Sequence, residues 1–413
     1  MRQADLTECS FSSRFQYIII QQEIESSDTM QNFVYRNTTK IIFGRNTIPQ
    51  VGEECRKIGK RLLLLYGKGS VKRNGVYEQV VRSLDDAGLS RVELDGVKAN
   101  PTLAHTHLGI ELAKKENVDL VLAVGGGSVI DEAKAICAGA CVDHDVWDFY
   151  MQKAAVVKAL PLIDVLTMSA TGTEMNGGTV ITNEATGVKL GMGFDALYPR
   201  TSILDPETLY SIPPEQTAYG CIDATTHLLE GYFTGEDRST PLQDRYAEGI
   251  IRTLVEIAGP MMDNPRDYSL RSTFMWGATL AWNGTAPSGI GNWSTPNHLI
   301  GHSMSSLYDT PHGASLSIAL AAWMPWYAKS RPERLRQLGK AVFDIHEADP
   351  SRAATQTIDA FVRWFQSLGS PTTLKEIDAD PDAFAENVAL CAPLWGLPGY
   401  SKEFILELFR GSC

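Results

Sequence analysis

The chain has 413 residues and is acidic, with 37 lysines and arginines against 49 aspartates and glutamates. The resulting net charge of −12 argues against a nucleic-acid partner and against binding to an anionic membrane surface. With 44% hydrophobic and 21% charged residues, the composition is that of a globular protein long enough for two domains.

The cysteines and the apolar runs indicate where such a protein works. The seven cysteines are dispersed and include no CxxC pair, which favours a reducing compartment, so we expect a cytoplasmic protein. Cys137 and Cys141 are interpreted as small core residues of one helix. The longest early apolar run, residues 17–20, is far below the ~20 residues that a membrane span needs. Residues 1–30 are interpreted as an extension outside the fold.

The first half of the chain alternates apolar runs with amphipathic stretches. Helices are predicted at residues 74–87, 102–116 and 129–140, and strands at residues 62–66, 92–94, 120–124, 162–167, 179–182 and 202–204. Strand and helix in alternation predict a Rossmann-like α/β domain over residues 31–209, a doubly wound parallel sheet with helices on both faces.

The pattern changes after a break at residues 205–206 and 211–214. Few strand signals follow, and helices are predicted at residues 215–232, 241–259, 269–283, 297–306, 314–328 and 332–343. We therefore expect an all-α domain over residues 210–413, with a ligand-binding cleft between the two domains.

Three loops of small residues follow predicted strands. Residues 125–128, Gly-Gly-Gly-Ser, lie where the third strand meets a helix, and backbone N–H groups there suit a phosphate, although a tight turn without ligand is the alternative. The spacing is not the GxGxxG fingerprint. Residues 67–70, Gly-Lys-Gly-Ser, precede Lys72 and Arg73 and contain no carboxylate for a ribose 2′-hydroxyl, so a 2′-phosphate or a solvated basic turn is expected. Residues 169–174 form the third loop.

The histidines are concentrated in the predicted helical half. Of the eight in the chain, His298, His302 and His312 are close in sequence, and Asp223 and His227 share a helix face at i, i+4 spacing, as do His298 and His302. This pattern predicts a divalent cation site of a kind that suits Zn²⁺ or Fe²⁺, although spacing alone leaves open which four side chains bind. The alternative is a set of surface or core histidines. Solvent exposure is expected for His105, His107, His144 and His346.

A metal ion beside a nucleotide site suits an oxidoreductase better than the other enzyme classes considered. The cation polarises an alcohol or carbonyl oxygen, and a nicotinamide gives or accepts hydride. A metal-dependent hydrolase would leave the three glycine-rich loops unexplained, and a non-catalytic nucleotide-binding protein would leave the metal-binding pattern unexplained. No nucleophile arrangement of the Ser/His/Asp or Cys/His kind stands out.

Several segments form an ordered set that extends from about Asn32 to the C-terminus: GGGSVIDEAK, ATGTEMN, IDATTHLLEGY, LQDRYAEGI and residues 298–313. Together they resemble the iron-containing (group III) alcohol dehydrogenase family, and within it the branch of NADPH-dependent aldehyde reductases and butanol dehydrogenases. The resemblance implies a dehydroquinate-synthase-like architecture and a homodimer. It also implies hydride transfer between NAD(P)H, with NADP(H) favoured over NAD(H), and short- to medium-chain aldehydes or primary alcohols.

The resemblance also implies roles for individual residues. A divalent metal, Zn²⁺ or Fe²⁺, would bind in the helical domain, and His302 would be a catalytic proton relay near the nicotinamide. Gly67 stands where NAD-preferring relatives carry aspartate. The implied metal ligands are Asp223, His227, His298 and His312. The implied cofactor-binding residues are Gly67, Gly69, Ser70, Asn100, Gly125, Gly126, Gly127, Ser128, Asp131, Thr167, Thr171, Asn176 and Lys189. Trp282, Trp293 and Tyr308 are expected at the substrate end of the cleft.

Two other enzyme classes share the implied fold. A dehydroquinate-synthase-like lyase carries a glutamate as its first metal ligand, where this chain has Asp223. A glycerol-dehydrogenase-like enzyme is closer in chemistry and less alike in its motifs.

Overall fold

The computed structural model describes residues 30–236 and 240–410. The predicted N-terminal extension, except for Met30, therefore lies outside the described residues. None of the helices in the described ranges is long and apolar enough to cross a membrane.

Six of the described strands form one parallel sheet, and two form a separate antiparallel hairpin. The strands are β1 (Lys40–Phe43), β2 (Arg61–Gly67), β3 (Ser90–Val97), β4 (Leu120–Gly126), β5 (Leu162–Met168), β6 (Gly178–Asn183), β7 (Val188–Gly193) and β8 (Thr201–Leu204). The order across the sheet is β1-β8-β5-β4-β2-β3, and the hairpin is β6-β7. The predicted parallel α/β sheet is thereby confirmed.

Helices cover both faces of this sheet, as the alternating pattern predicts. They are α1 (Val51–Arg56), α2 (Ser70–Arg73), α3 (Val76–Asp86), α4 (Leu103–Lys115), α5 (Gly127–Gly139) and α6 (Trp147–Tyr150). Successive residues of β2 point to opposite faces, so Leu62 joins the core under α3 while Leu63 joins the core under α5.

The crossover between β3 and β4 creates the crevice of the sheet. From β2 the chain moves outward to β3 and then returns to β4 on the other side of β2. The carboxyl ends of β2 and β4 therefore flank the point where the direction of winding reverses, and ligands of open α/β sheets bind at that point. β2 ends at Gly67 and β4 ends at Gly126.

After β8, the described residues form helices and the loops that connect them. The helices are α7 (Pro214–Thr234), α8 (Pro241–Asp263), α9 (Tyr268–Ala281), α10 (Pro296–Tyr308), α11 (His312–Ala328), α12 (Pro332–Phe343), α13 (Pro350–Ser367), α14 (Pro381–Cys391) and α15 (Lys402–Leu408). Proline at the first turn starts many of them, because its fixed φ suits the helix and its missing N–H is not needed there.

The structure differs from the sequence prediction in several elements. The strand predicted at residues 179–182 is present but pairs antiparallel with β7, outside the main sheet. β1 and β7 were not predicted: β1 has no fully buried position, and β7 contains two glycines, which weaken a strand pattern. α11 begins at His312, two residues before the predicted helix, which brings that histidine onto the first turn.

Candidate metal and cofactor site

Four buried or half-buried donors converge where α7, α10 and α11 meet. Asp223 and His227 lie one turn apart on α7, His298 lies on α10, and His312 is the first residue of α11. The Nε2 atoms of His227, His298 and His312 lie 3.7, 3.6 and 3.6 Å from Oδ1 of Asp223. The packing of three helices therefore gathers side chains that are far apart in sequence.

These distances fit one cation rather than a hydrogen-bonded cluster. They are too long for hydrogen bonds. A tetrahedral ion with ligand bonds near 2.1 Å holds its ligand atoms about 3.4 Å apart, close to the three distances measured from Asp223. The ligand atoms of Asp223, His227 and His298 all lie within 4.8 Å of one another, whereas His312 is outside this tighter group. Oδ1 of Asp223 and Nε2 of His298 are buried without a hydrogen-bond partner among the described residues. Orphaned buried donors and acceptors are costly, and a bound cation would satisfy both.

Burial keeps most of these imidazoles neutral, as ligation requires. It lowers the pKa of His227 to about 3 and that of His312 well below its usual value. For His298, burial acts in the same direction, but the carboxylates of Asp223 and Glu230 raise its pKa to about 9 in the metal-free protein. A dication at this position would take over the role of that proton.

His302 lies one turn after His298 on α10, outside the group of converging donors. Its ring centre is 5.0 Å from that of His312, and its Nδ1 atom has no partner among the described residues. Burial, reinforced by the Lys189 ammonium, lowers the pKa of His302 well below its usual value. His302 is thus a neutral imidazole beside the four donors.

The carboxyl ends of β2 and β4 carry the expected glycines. Tyr66 pairs with Val124, so Gly67 and Gly125 follow side by side. α5 begins at Gly127, and its N-cap residue Gly126 makes no side-chain capping bond. The first N–H groups of α5 are therefore available to a phosphate, which the helix dipole also favours.

Two of these glycines are also required by the packing of the chain itself. A Cβ atom on Gly125 would lie 2.4 Å from Val129, and one on Gly127 would lie 2.5 Å from Oγ1 of Thr171. The packing of the chain therefore accounts for two of the three consecutive glycines without any ligand. Gly67 differs, because a Cβ atom there meets only the carbonyl of Val97, at 3.5 Å.

Three predicted cofactor residues bond within the protein. The Ser128 hydroxyl donates its proton to the carbonyl of Ala99, so it is already bonded within the protein. Asp131 accepts from Oγ1 of Thr173 at 2.6 Å and from the N–H of Val180 at 3.2 Å. Asn176 donates to the carbonyl of Gly172 at 2.8 Å. These side chains shape the loops around the crevice. Thr167, at the end of β5, is also buried.

Lys189 connects the two groups of predicted site residues. Its Nζ atom donates to Oδ1 of Asn100 at 2.9 Å, and the Asn100 amide donates to Oδ1 of Asp309 at 2.9 Å. Burial lowers the pKa of Lys189 to about 8, while Asp131, on the cofactor side, and Asp223, on the metal side, oppose the shift. Two predicted cofactor residues, Lys189 and Asn100, are thus linked by hydrogen bonds to the end of α10, the helix that carries His298.

The loop after β2 is basic, as predicted. Gly69 has a φ of 114°, which favours glycine, and Ser70 begins the short helix α2. Lys72 lies over the rings of Tyr66 and Tyr77 at 4.8 and 4.9 Å.

Comparison with known proteins assigns the chain. The model of the iron-containing alcohol dehydrogenases matches residues 38–206, and that of the C-terminal part of the Fe-containing alcohol dehydrogenase family matches residues 217–394. The chain belongs to the iron-containing alcohol dehydrogenase family. It is an oxidoreductase of the NAD(P)-dependent alcohol dehydrogenase class.

Relatives of this alcohol dehydrogenase family member carry both cofactor types in their names. The chain is 40% identical to "Probable NADH-dependent butanol dehydrogenase 1" of Bacillus subtilis, over 93% of this chain and all of that protein. It is 34% identical to the NADPH-dependent aldehyde reductase YqhD of Escherichia coli, over 85% and 90%. The crystal structure of NADH-dependent butanol dehydrogenase A from Thermotoga maritima matches with a TM-score of 0.89 and 42% identity, over 93% and 99% of the chains.

The aromatic residues of this dehydrogenase lie on two sides of the histidines. Trp282 packs on His227 with ring centres 4.6 Å apart, and Trp293 contacts Trp282 edge-on. Tyr308 instead donates to the carbonyl of Asp380. Trp395, which the sequence did not single out, contacts His302 edge-on at 4.8 Å.

Two further residues depart from the sequence analysis. Glu230, with no assigned role, bonds to His298 at 3.0 Å. The only available signal was a glutamate within an otherwise apolar stretch of a predicted helix. The expectation that His105 is solvent-exposed is wrong, because its ring is half-buried and bonds to the buried Glu132 and to the carbonyl of Asp95.

Proposed function

We propose that the chain transfers hydride between NADPH, in preference to NADH, and short- to medium-chain aldehydes or primary alcohols. The observation that carries the proposal is the convergence of three Nε2 atoms on Asp223, together with the hydrogen bonds that link Lys189 through Asn100 to Asp309 at the end of α10, the helix of His298. A hydrolase or a non-catalytic binding protein does not need a metal site linked to a nicotinamide site. The family assignment also disfavours the lyase alternative.

In this proposal each group of residues has a separate task. Zn²⁺ or Fe²⁺ would supply Lewis-acid polarisation of the substrate oxygen, and the nicotinamide would supply or accept hydride. Asp223, His227, His298 and His312 hold the cation. The N–H groups at the start of α5 orient the cofactor through its pyrophosphate. His302, kept neutral by burial and by Lys189, gives or takes the hydroxyl proton through Nδ1.

The preference for NADPH is supported by the loop after β2. No carboxylate occupies position 67, so nothing there would repel a 2′-phosphate or bind a free 2′-hydroxyl. Lys68 and Arg73 are exposed beside Ser70 and are free of ion pairs among the described residues. Because relatives named for NADH and for NADPH both match this chain, kcat/KM measured with each cofactor tests this preference.

We also propose a cytoplasmic homodimer. The cytoplasm is supported by the cysteines, since all five in the described ranges are unpaired. The dimer is supported by β1, which is an edge strand and carries the exposed Phe43 next to the exposed Trp276. The mass of the purified protein in solution tests the dimer.

The reaction is tested by following the nicotinamide absorbance with butanal, using metal-stripped enzyme reloaded with Zn²⁺ or Fe²⁺. We expect metal-dependent consumption that is faster with NADPH than with NADH. His298→Ala should lose metal and activity together, whereas His302→Ala should keep the metal and slow turnover by about 100-fold or more. No consumption with several short aldehydes and both metals would overturn the proposal.

A further inference from the structure

Glu230 is a completely buried carboxylate directly behind the candidate metal centre. It lies on α7, three residues after His227, and no part of its side chain is accessible to solvent. Its Oε1 atom accepts from Nδ1 of His298 at 3.0 Å and from the backbone N–H of His298 at 2.9 Å. Its Oε2 atom accepts from Nδ2 of Asn297 at 3.2 Å. Both oxygens are therefore directed at the start of α10.

These bonds determine how His298 presents its ring. A carboxylate only accepts hydrogen bonds, so Nδ1 of His298 must carry a proton. In the neutral ring the lone pair is then on Nε2, which faces Oδ1 of Asp223 at 3.6 Å and has no other partner among the described residues. A carboxylate on the far nitrogen of a ligating histidine fixes its tautomer and orientation and increases its basicity.

The charges in this region point to the same role. Glu230 and Asp223 are both buried, and within the described residues neither forms an ion pair with lysine or arginine. Two carboxylates balance the charge of one dication, whereas a buried carboxylate without a compensating charge is costly.

We infer that Glu230 is a positioning residue of the metal centre, which holds Nε2 of His298 toward the ion and contributes half of the negative charge that balances it. The inference rests on the proposed ligand set. It adds a residue that does not touch the ion and acts on it through His298.

The substitution Glu230→Gln separates the charge from the hydrogen bonds. The Gln carbonyl can still accept both bonds from His298. Its NH₂ group would replace Oε2 opposite Asn297, whose Oδ1 atom has no partner among the described residues, so a half-turn of the Asn297 amide provides an acceptor. Glu230→Ala removes both the charge and the bonds.

The test is the affinity of the metal-free full-length protein for Zn²⁺, measured by competition with a chromogenic chelator. We expect a loss of about 10-fold for Glu230→Gln and about 100-fold for Glu230→Ala, the range typical of such outer partners. The absorption spectrum of the Co²⁺-loaded protein should change in Glu230→Ala, because the His298 ring is no longer held.

The matched control is Glu248→Gln. Glu248 lies on α8, is largely buried, and accepts from Tyr232 and Gln337 at 2.8 Å, but it contacts no metal-site residue in the described ranges. The Glu248→Gln variant should bind Zn²⁺ with the same affinity as the unmodified protein. Zn²⁺ affinity within two-fold of the unmodified protein in Glu230→Gln, or in folded Glu230→Ala, would overturn the inference. Failure of the unmodified protein to bind Zn²⁺ would instead overturn the ligand set itself.

Discussion

Gly67 is the residue at which cofactor choice can be tested most directly. It ends β2 at the crevice, and a side chain there would meet only the carbonyl of Val97. A carboxylate at this position would accept from a free ribose 2′-hydroxyl and repel a 2′-phosphate. We expect Gly67→Asp to shift the ratio of kcat/KM for NADPH over NADH by about 100-fold toward NADH, equivalent to about 2.7 kcal/mol.

Gly67→Ala is the control, since it adds the Cβ atom without the carboxylate and should leave the ratio nearly unchanged. An equal shift in both variants would mean that shape, not charge, sets the preference. An unchanged ratio in Gly67→Asp would mean that the 2′ position of the adenosine ribose does not lie near the end of β2.

At the metal site, the sequence predicted neighbours on one helix but not contacts between helices. The i, i+4 spacing of Asp223 and His227 predicts that they share a helix face, because one helix is a local structure. It cannot show that His298, rather than His302, faces Asp223, because that depends on how α10 packs on α7. The role of Glu230 depends on the same packing and was therefore missed.

At the scale of elements, Lys134 joins α5 to the loop before β6. Its buried Nζ atom donates to the carbonyls of Thr173, Asn176 and Gly178 at 2.7, 2.8 and 2.7 Å. The loop, residues 172–178, includes one predicted cofactor residue and directly follows another. Lys134 thus couples the shape of this loop to the helix that starts at the phosphate site.

Lys134→Met should therefore destabilise the protein and loosen the loop. The variant leaves three carbonyls without their donor, and we expect the free energy of unfolding to fall by about 3 kcal/mol, with a raised KM for the cofactor. Denaturant titration and initial-rate kinetics measure the two effects. Lys115→Met, at an exposed position on α4, is the control; equal stability of the two variants would contradict this role for Lys134.

The elements themselves were predicted unevenly. β2, β4 and β5 were found because buried parallel strands are continuous apolar runs with clear ends. The 179–182 segment has the same local signal, yet its ladder is formed with β7, and Thr182 adds only a single bridge to Thr102. Pairing between strands is not encoded in the periodicity of either one. Helices α13 to α15 were covered only by the general expectation of a helical domain.

At the scale of the whole molecule, the sequence predicted an α/β half and a helical half with a ligand site between them. It could not predict the bonds that join the halves. Asn100 follows β3 and reaches Asp309 at the end of α10, and Thr279 on α9 donates to the buried Glu174. Such contacts join residues more than 100 positions apart in the sequence, so no local pattern predicts them.

The metal should contribute to the stability of the whole molecule because its ligands come from three helices. A ligand that binds only the folded state at 1,000 times its Kd adds about 4 kcal/mol, and metal removal leaves the buried Asp223 and Glu230 without a balancing dication. We expect the calorimetric Tm of the metal-free protein to rise on addition of Zn²⁺. His298→Ala should show a much smaller rise under the same conditions. If the variant and the unmodified protein gained equally, the stabilising Zn²⁺ would be bound elsewhere, and the convergence of α7, α10 and α11 on Asp223 would need another explanation.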